Sequence, residues 1–195
     1  MRQARGLLIV DAQNDFCPNG ALAVAGGDKI IPVLNRYIEI FSKDKNPVIA
    51  SRDWHPARTK HFKDFGGPWP VHCVANTPGA DFHPSLKLPS QAIVVSKGMD
   101  PSMDSYSAFQ AVDETGRALA DILKGSGVQE LWIGGLATDY CVKASVLDGL
   151  KHFRVNLLVD AIKGVDLNPG DSQRAVEEML AAGAREMTLE QIPPP

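Results

Sequence analysis

Short apolar runs of strand length, separated by longer helical or irregular segments, restrict this chain more than any other feature of its sequence. They are GLLIV at 6–10, PVIAS at 47–51, AIVVS at 92–96, the run that opens at Leu131, and RVNLLV at 154–159. GLLIV is continuously apolar rather than alternating, which suits a strand buried on both faces. Between the runs, Ile30, Ile31, Val33, Leu34, Tyr37, Ile38 and Phe41 recur at helical spacing, and so do Ala175, Val176, Met179 and Leu180. Strands alternating with helices predict an α/β fold in three α/β/α layers, a parallel sheet with right-handed crossovers. A short edge strand at 185–189 makes the sixth.

The element ends follow from capping and turn chemistry. Asp28 is a candidate cap for a helix over 28–43, with Pro32 tolerated in its first turn. A further helix is expected over 114–124, and Asp160 should end the fifth strand. The segment 166–182 holds a Pro-Gly turn and the last helix, stopped by Gly183. The prolines at 193–195 read as a tail. The stretch LWIGGLATDYCVKASVLDGL, 131–150, reads as a strand, a tight turn at Gly134–Gly135, and a helix carrying Val142, Val146, Leu147 and Leu150 on one face. Cys141 then falls in the first helical turn, where unpaired backbone N–H groups favour a thiolate.

Length and composition permit one domain, 1–195, and the net charge of −3 contains no basic run, so neither nucleic acid nor an anionic membrane surface is an expected partner. The apolar run after Arg2 and Arg5 is too short for a signal peptide. Three cysteines, Cys17, Cys73 and Cys141, make no disulfide framework and point to a reducing, cytoplasmic compartment. From about 53 to 90 the chain is rich in Pro, Gly and His without periodicity; a long insertion of this kind reads as a lid or binding loop.

In a parallel sheet, ligands bind beyond the carboxyl ends of the strands. The first four strands deliver Asp11, then Asp53 and His55, then Lys97, then Cys141 at that rim. Asp11, Lys97 and Cys141 divide the labour of nucleophilic acyl transfer: a thiol, an ammonium to favour its anion, and a carboxylate to carry its proton. Each also has a plainer reading, as a buried thiol, a turn cap or a solvated lysine. Asp53, His55, His61 and His72 form a second set, of donors suited to divalent zinc, iron or manganese. The spacing fixes no geometry, and scattered surface histidines would look the same.

With these residues in view, the chain resembles the isochorismatase-like cysteine hydrolases, and among them the nicotinamidases. The resemblance rests on VDAQNDF (10–16), SRDWHP (51–56), WPVHCV (69–74), KGMDPSMDSYSAF (97–109) and GLATDYCV (135–142), in that order. It implies a six-stranded parallel sheet and one hydrolase domain with its metal-binding loop at about 53–90. The implied catalytic triad is Asp11, Lys97 and Cys141; the implied metal ligands are Asp53, His55 and His72, with His61 as a candidate fourth. One divalent ion per chain is implied, zinc first and iron or manganese as alternatives. The resemblance further implies a cis peptide before Ala137, an oxyanion hole from the backbone N–H groups of Ala137 and Cys141, and an aromatic cage of Phe16, Trp69 and Tyr106. The implied reaction is hydrolysis of nicotinamide to nicotinate and ammonia in NAD salvage, with pyrazinamide as a second substrate. Homo-oligomerisation stays open.

Other readings compete. The metal could activate water directly, leaving Cys141 a bystander. The substrate could be another small amide or an isochorismate-type vinyl ether, and a non-catalytic metal-stabilised interaction module needs no triad at all. Gly134–Gly135 is not a GxGxxG fingerprint, so nucleotide binding is the weakest of these.

Overall fold

The computed structural model of the protein describes residues 4–192; Met1–Gln3, and with them the start of the signal-like stretch, and the proline tail 193–195 lie outside the described residues. Six parallel strands form one sheet in the order β3-β2-β1-β4-β5-β6. They are β1 (Arg5–Val10), β2 (Val48–Asp53), β3 (Ile93–Lys97), β4 (Glu130–Leu136), β5 (Arg154–Lys163) and β6 (Arg185–Met187). The helices are α1 (Ile31–Lys43), α2 (Leu119–Gly125), α3 (Lys143–Gly149) and α4 (Asp171–Ala181).

Every residue of β1 is buried, and its alternating side chains feed two cores. Leu7 and Ile9 join Leu34, Tyr37 and Phe41 of α1 with Trp132 on one face, whereas Leu8 and Val10 join Leu123 of α2, Val146 of α3 and Met179 of α4 on the other. Period-two geometry thus explains why the run is continuously apolar. The chain leaves β1 toward β2 and β3, then returns to the other side of β1 as β4. That reversal leaves a crevice beyond the ends of β1 and β4, where Asp11 and Cys141 lie. Among the described residues no helix is long and apolar enough to cross a membrane.

Four expected boundaries shift, each for a local reason. Gly134–Gly135 does not break the strand. β4 runs through both, in register with Ile9 and Val10, and a Cβ on Gly135 (φ +132°) would sit 2.0 Å from the Val10 carbonyl oxygen. The glycines permit a close strand approach rather than a turn. The helix expected from Glu114 starts at Leu119 instead, because the Asp113 carboxylate accepts the N–H groups of Thr115 and Arg117 and closes a turn there. Asp28 lies in a 3-10 turn, Gly27–Ile30, ahead of α1 and caps nothing, while Pro32 does occupy the first turn. Finally, β5 continues past Asp160. Its carboxylate accepts the Tyr37 hydroxyl at 2.9 Å and the Leu189 N–H at 2.8 Å, so the charge is accommodated inside the strand.

Candidate active site

Asp11 follows β1 with a left-handed backbone (φ +46°), a conformation that non-glycine residues adopt rarely and mostly where the surroundings hold them. Its N–H donates to the Ser51 carbonyl at 3.1 Å and its Oδ1 accepts the Ser51 hydroxyl at 2.7 Å. Lys97 ends β3, fully buried, with Nζ 2.9 Å from Asp11 Oδ2, 3.4 Å from Cys141 Sγ and in contact with Asp53 Oδ1. Cys141 sits in a π-helical turn, Thr138–Val142, that opens into α3. A cis peptide joins Leu136 to Ala137 just before that turn. The Ser145 hydroxyl donates to the Cys141 carbonyl at 2.6 Å and accepts the Ala108 N–H at 2.8 Å, fixing the turn from behind.

Electrostatics in this cluster follow from burial. Desolvation lifts Asp11 above the usual carboxylate range, Lys97 opposing. Asp53 is held well below it, with Lys97 the largest lowering influence against the desolvation that raises it. Lys97 itself is held well above its ordinary value, because the attraction of Asp11 and Asp53 outweighs its own desolvation. Burial pushes the Cys141 thiol well above its ordinary range, Lys97 opposing and Asp11 and Asp53 reinforcing. Burial thus favours a proton on the Cys141 sulfur and on the Asp11 carboxylate alike, while the Lys97 ammonium beside both favours their charged forms. Such a pair can exchange a proton when a bound group draws the sulfur forward.

The second cluster is assembled by the irregular segment after β2. His55 pairs with Val74 in a parallel bridge, and Phe62 with Trp69 in another. These bring His55, His61 and His72 to one place, with one ring nitrogen from each within 4.8 Å of the others. All three rings are oriented the same way. Nδ1 of His55 donates to the Gly98 carbonyl at 3.0 Å, Nδ1 of His72 to the Pro70 carbonyl at 2.8 Å, and Nδ1 of His61 to the Asp104 carboxylate at 2.6 Å. A proton on each Nδ1 leaves each Nε2 with a lone pair. Gly98 permits this approach, since a Cβ there would lie 2.5 Å from the His55 ring. Asp53 Oδ2 faces His55 Nε2 at 3.6 Å and His72 Nε2 at 3.9 Å. His55 Nε2 is buried with no hydrogen-bond partner among the described residues. Three imidazole lone pairs, one of them an orphaned buried acceptor, beside a carboxylate fit a divalent transition metal.

Burial, partly offset by the Pro70 carbonyl, pushes His72 down to about 4. A ring neutral in the fold and protonated at about 6.5 when unfolded stabilises the fold above pH 6.5, and that stability is lost as pH falls through 4. Metal-free protein is therefore expected to lose melting temperature between pH 6.5 and 4, and His72→Gln to flatten that slope. Equal slopes would locate the acid sensitivity elsewhere.

Between the clusters lies a pocket lined by Phe16, Trp69, Tyr106 and Tyr140 on its walls and by Asp53, His61, His72, Ala137 and Cys141 deeper in. Trp69 Nε1 donates to the Tyr106 hydroxyl at 2.9 Å, and Tyr140 meets the Trp69 ring edge-on at 4.8 Å. Of the residues singled out from sequence, Phe16, Asp53, His61, Trp69, His72, Tyr106, Ala137 and Cys141 line the pocket, while Asp11, Lys97 and His55 stand behind that lining, beside Cys141 and Asp53. Sequence reasoning missed Tyr140, Asp104 and Gln13. The buried Gln13 amide donates to the carbonyls of Asp53 and Ala80 and accepts the Asp53 N–H, each at 2.8 Å, which fixes the end of β2. Only the placement of Gln13 two residues past Asp11 hints at this.

Relatives share the arrangement of the whole chain. The isochorismatase domain matches residues 5–191. A nicotinamidase of Escherichia coli is 44% identical, the match covering 95% of each chain. A nicotinamidase/pyrazinamidase of Mycobacterium tuberculosis is 40% identical over 91% of this chain and 95% of its own. Among solved structures, the pyrazinamidase of Pyrococcus horikoshii in complex with zinc superimposes with a TM-score of 0.89 at 46% identity, covering 95% of this chain and 99% of that one. A buried thiol, ammonium and carboxylate at the sheet's switch point, on a chain matched from end to end in this way, make the protein a member of the isochorismatase family.

Proposed function

We propose that the protein is a nicotinamidase, hydrolysing nicotinamide to nicotinate and ammonia in NAD salvage, with pyrazinamide as a second substrate. The observation that carries this reading is Cys141, backed by Lys97 and Asp11, lining an aromatic-walled pocket that His61 and His72 of the histidine cluster also line. Phe16, Trp69 and Tyr106 take the flat ring. Asp53, His55, His61 and His72 would hold one divalent ion, zinc first, and such an ion would supply Lewis-acid chemistry on that side of the pocket.

With the ring held, Cys141 passes its proton to Asp11 and its sulfur attacks the carboxamide carbon. The backbone N–H groups of Ala137 and Cys141 receive the oxyanion, a contribution of about 3–4 kcal/mol per donor in comparable sites. Asp11 returns the proton to the departing nitrogen, which leaves as ammonia, and a thioester remains on Cys141. Asp11 then takes a proton from water, whose oxygen attacks the thioester; the C–S bond breaks, the Cys141 sulfur recovers that proton from Asp11, and nicotinate is released. Lys97 keeps positive charge beside both the sulfur and the carboxylate throughout.

Ammonia release from nicotinamide by purified protein, before and after iodoacetamide, with metal quantified in the same sample, tests substrate and nucleophile together. The expected result is turnover that alkylation abolishes while the metal content is unchanged. No release by metal-replete, unmodified protein would remove nicotinamide as the substrate.

A further inference from the structure

The three histidines differ in what holds them. His55 and His72 are oriented by backbone carbonyls, Gly98 and Pro70, which no side-chain substitution removes. His61 is oriented by one side chain, the carboxylate of Asp104, which is half exposed, while the His61 side chain is 4% exposed. Asp104 lies on the loop after β3, which is fastened to the His61 segment: the Lys60 N–H donates to the Pro101 carbonyl at 2.9 Å, and the Thr59 hydroxyl, itself accepting the His61 N–H at 3.2 Å, donates to the same carbonyl at 3.4 Å. The same loop supplies Gly98 to His55 and Tyr106 to the pocket wall. A carboxylate on Nδ1 fixes the tautomer that offers Nε2, aims the ring, and raises its basicity as a ligand more than a neutral carbonyl does.

We propose that Asp104 is a positioning residue that makes His61 a metal ligand, acting through the imidazole and touching neither substrate nor ion. The proposal rests on the reading of the histidine cluster as a metal site. It differs from that reading in what it requires: without Asp104, His61 is a ring stacked on His55, 4.6 Å between centroids, with nothing to choose its tautomer.

The test is zinc affinity of metal-stripped protein, measured by competition with a chromogenic chelator and needing no substrate. Asp104→Ala is expected to weaken zinc binding by about tenfold or more. Asp104→Asn should recover part of the loss, because the amide oxygen still accepts the Nδ1 proton. Combined with His61→Ala, Asp104→Ala should add no further loss, as both remove one interaction. Asp100→Ala, which removes the contacts to Ser102 in the same loop, should bind zinc as the wild type does. Wild-type affinity in Asp104→Ala, losses that multiply in the double variant, or an equal loss in Asp100→Ala would each overturn the proposal. His55→Ala separates the two levels. If it leaves zinc affinity intact, the metal reading itself falls; if it alone weakens binding, only the role of Asp104 does.

Discussion

Replacing Cys141 with Ala should lower turnover of nicotinamide by on the order of 10⁴-fold or more while leaving fold and metal content unchanged. The sulfur is the atom that forms the bond, and a methyl group offers no electron pair in its place. The surrounding turn keeps its other supports, the Ser145 hydroxyl and the packing of Val142 and Val146, so the cost in stability should be about 1 kcal/mol. Ligand binding should survive, since the walls of Phe16, Trp69 and Tyr106 are untouched. The measurement is single-turnover ammonia release alongside nicotinamide binding by calorimetry. Activity within tenfold of the wild type would transfer the chemistry to a water held elsewhere and leave Cys141 a bystander.

The largest effect on stability is expected at Lys97. Its ammonium is fully buried between Asp11 and Asp53, so Lys97→Met leaves two carboxylates facing each other out of water. Removing one partner of a buried ionic cluster typically costs about 3–5 kcal/mol, or about 10 °C in melting temperature for a chain of this size. Turnover should vanish as well, because nothing then favours negative charge on the sulfur. Pairing Lys97→Met with Asp53→Asn should restore part of the stability and none of the activity. A Lys97→Met protein that melts with the wild type would mean that the two carboxylates take up protons without strain, and that the lysine is not what holds the cluster together.

The sheet was legible because burial on both faces writes itself locally: a continuous apolar run such as GLLIV needs no knowledge of its neighbours. Asp11, Lys97 and Cys141 were legible for a related reason, each standing at or just beyond such a run. What escaped depends on contacts between distant segments. Gly134–Gly135 looks like a turn until Val10 is known to lie against it. The Asp104–His61 bond spans 43 positions and that of Gln13 to Asp53 spans 40, and no periodicity reports on either. For Cys141, a residue type and a helical turn announce what lowers a pKa, whereas the depth that raises it is a property of the finished packing.

The chemistry and the shape of the pocket come from different parts of the chain. Asp53 and Lys97 end strands, Asp11 follows one, and Cys141 lies in the turn after β4, all referred to a single sheet; Phe16, Trp69 and Tyr106 stand on three separate connecting segments. Those segments can be lengthened or recoloured without moving the reacting atoms. A lineage with this architecture can exchange one flat amide for another by editing its periphery, while the machinery that breaks the bond is inherited intact.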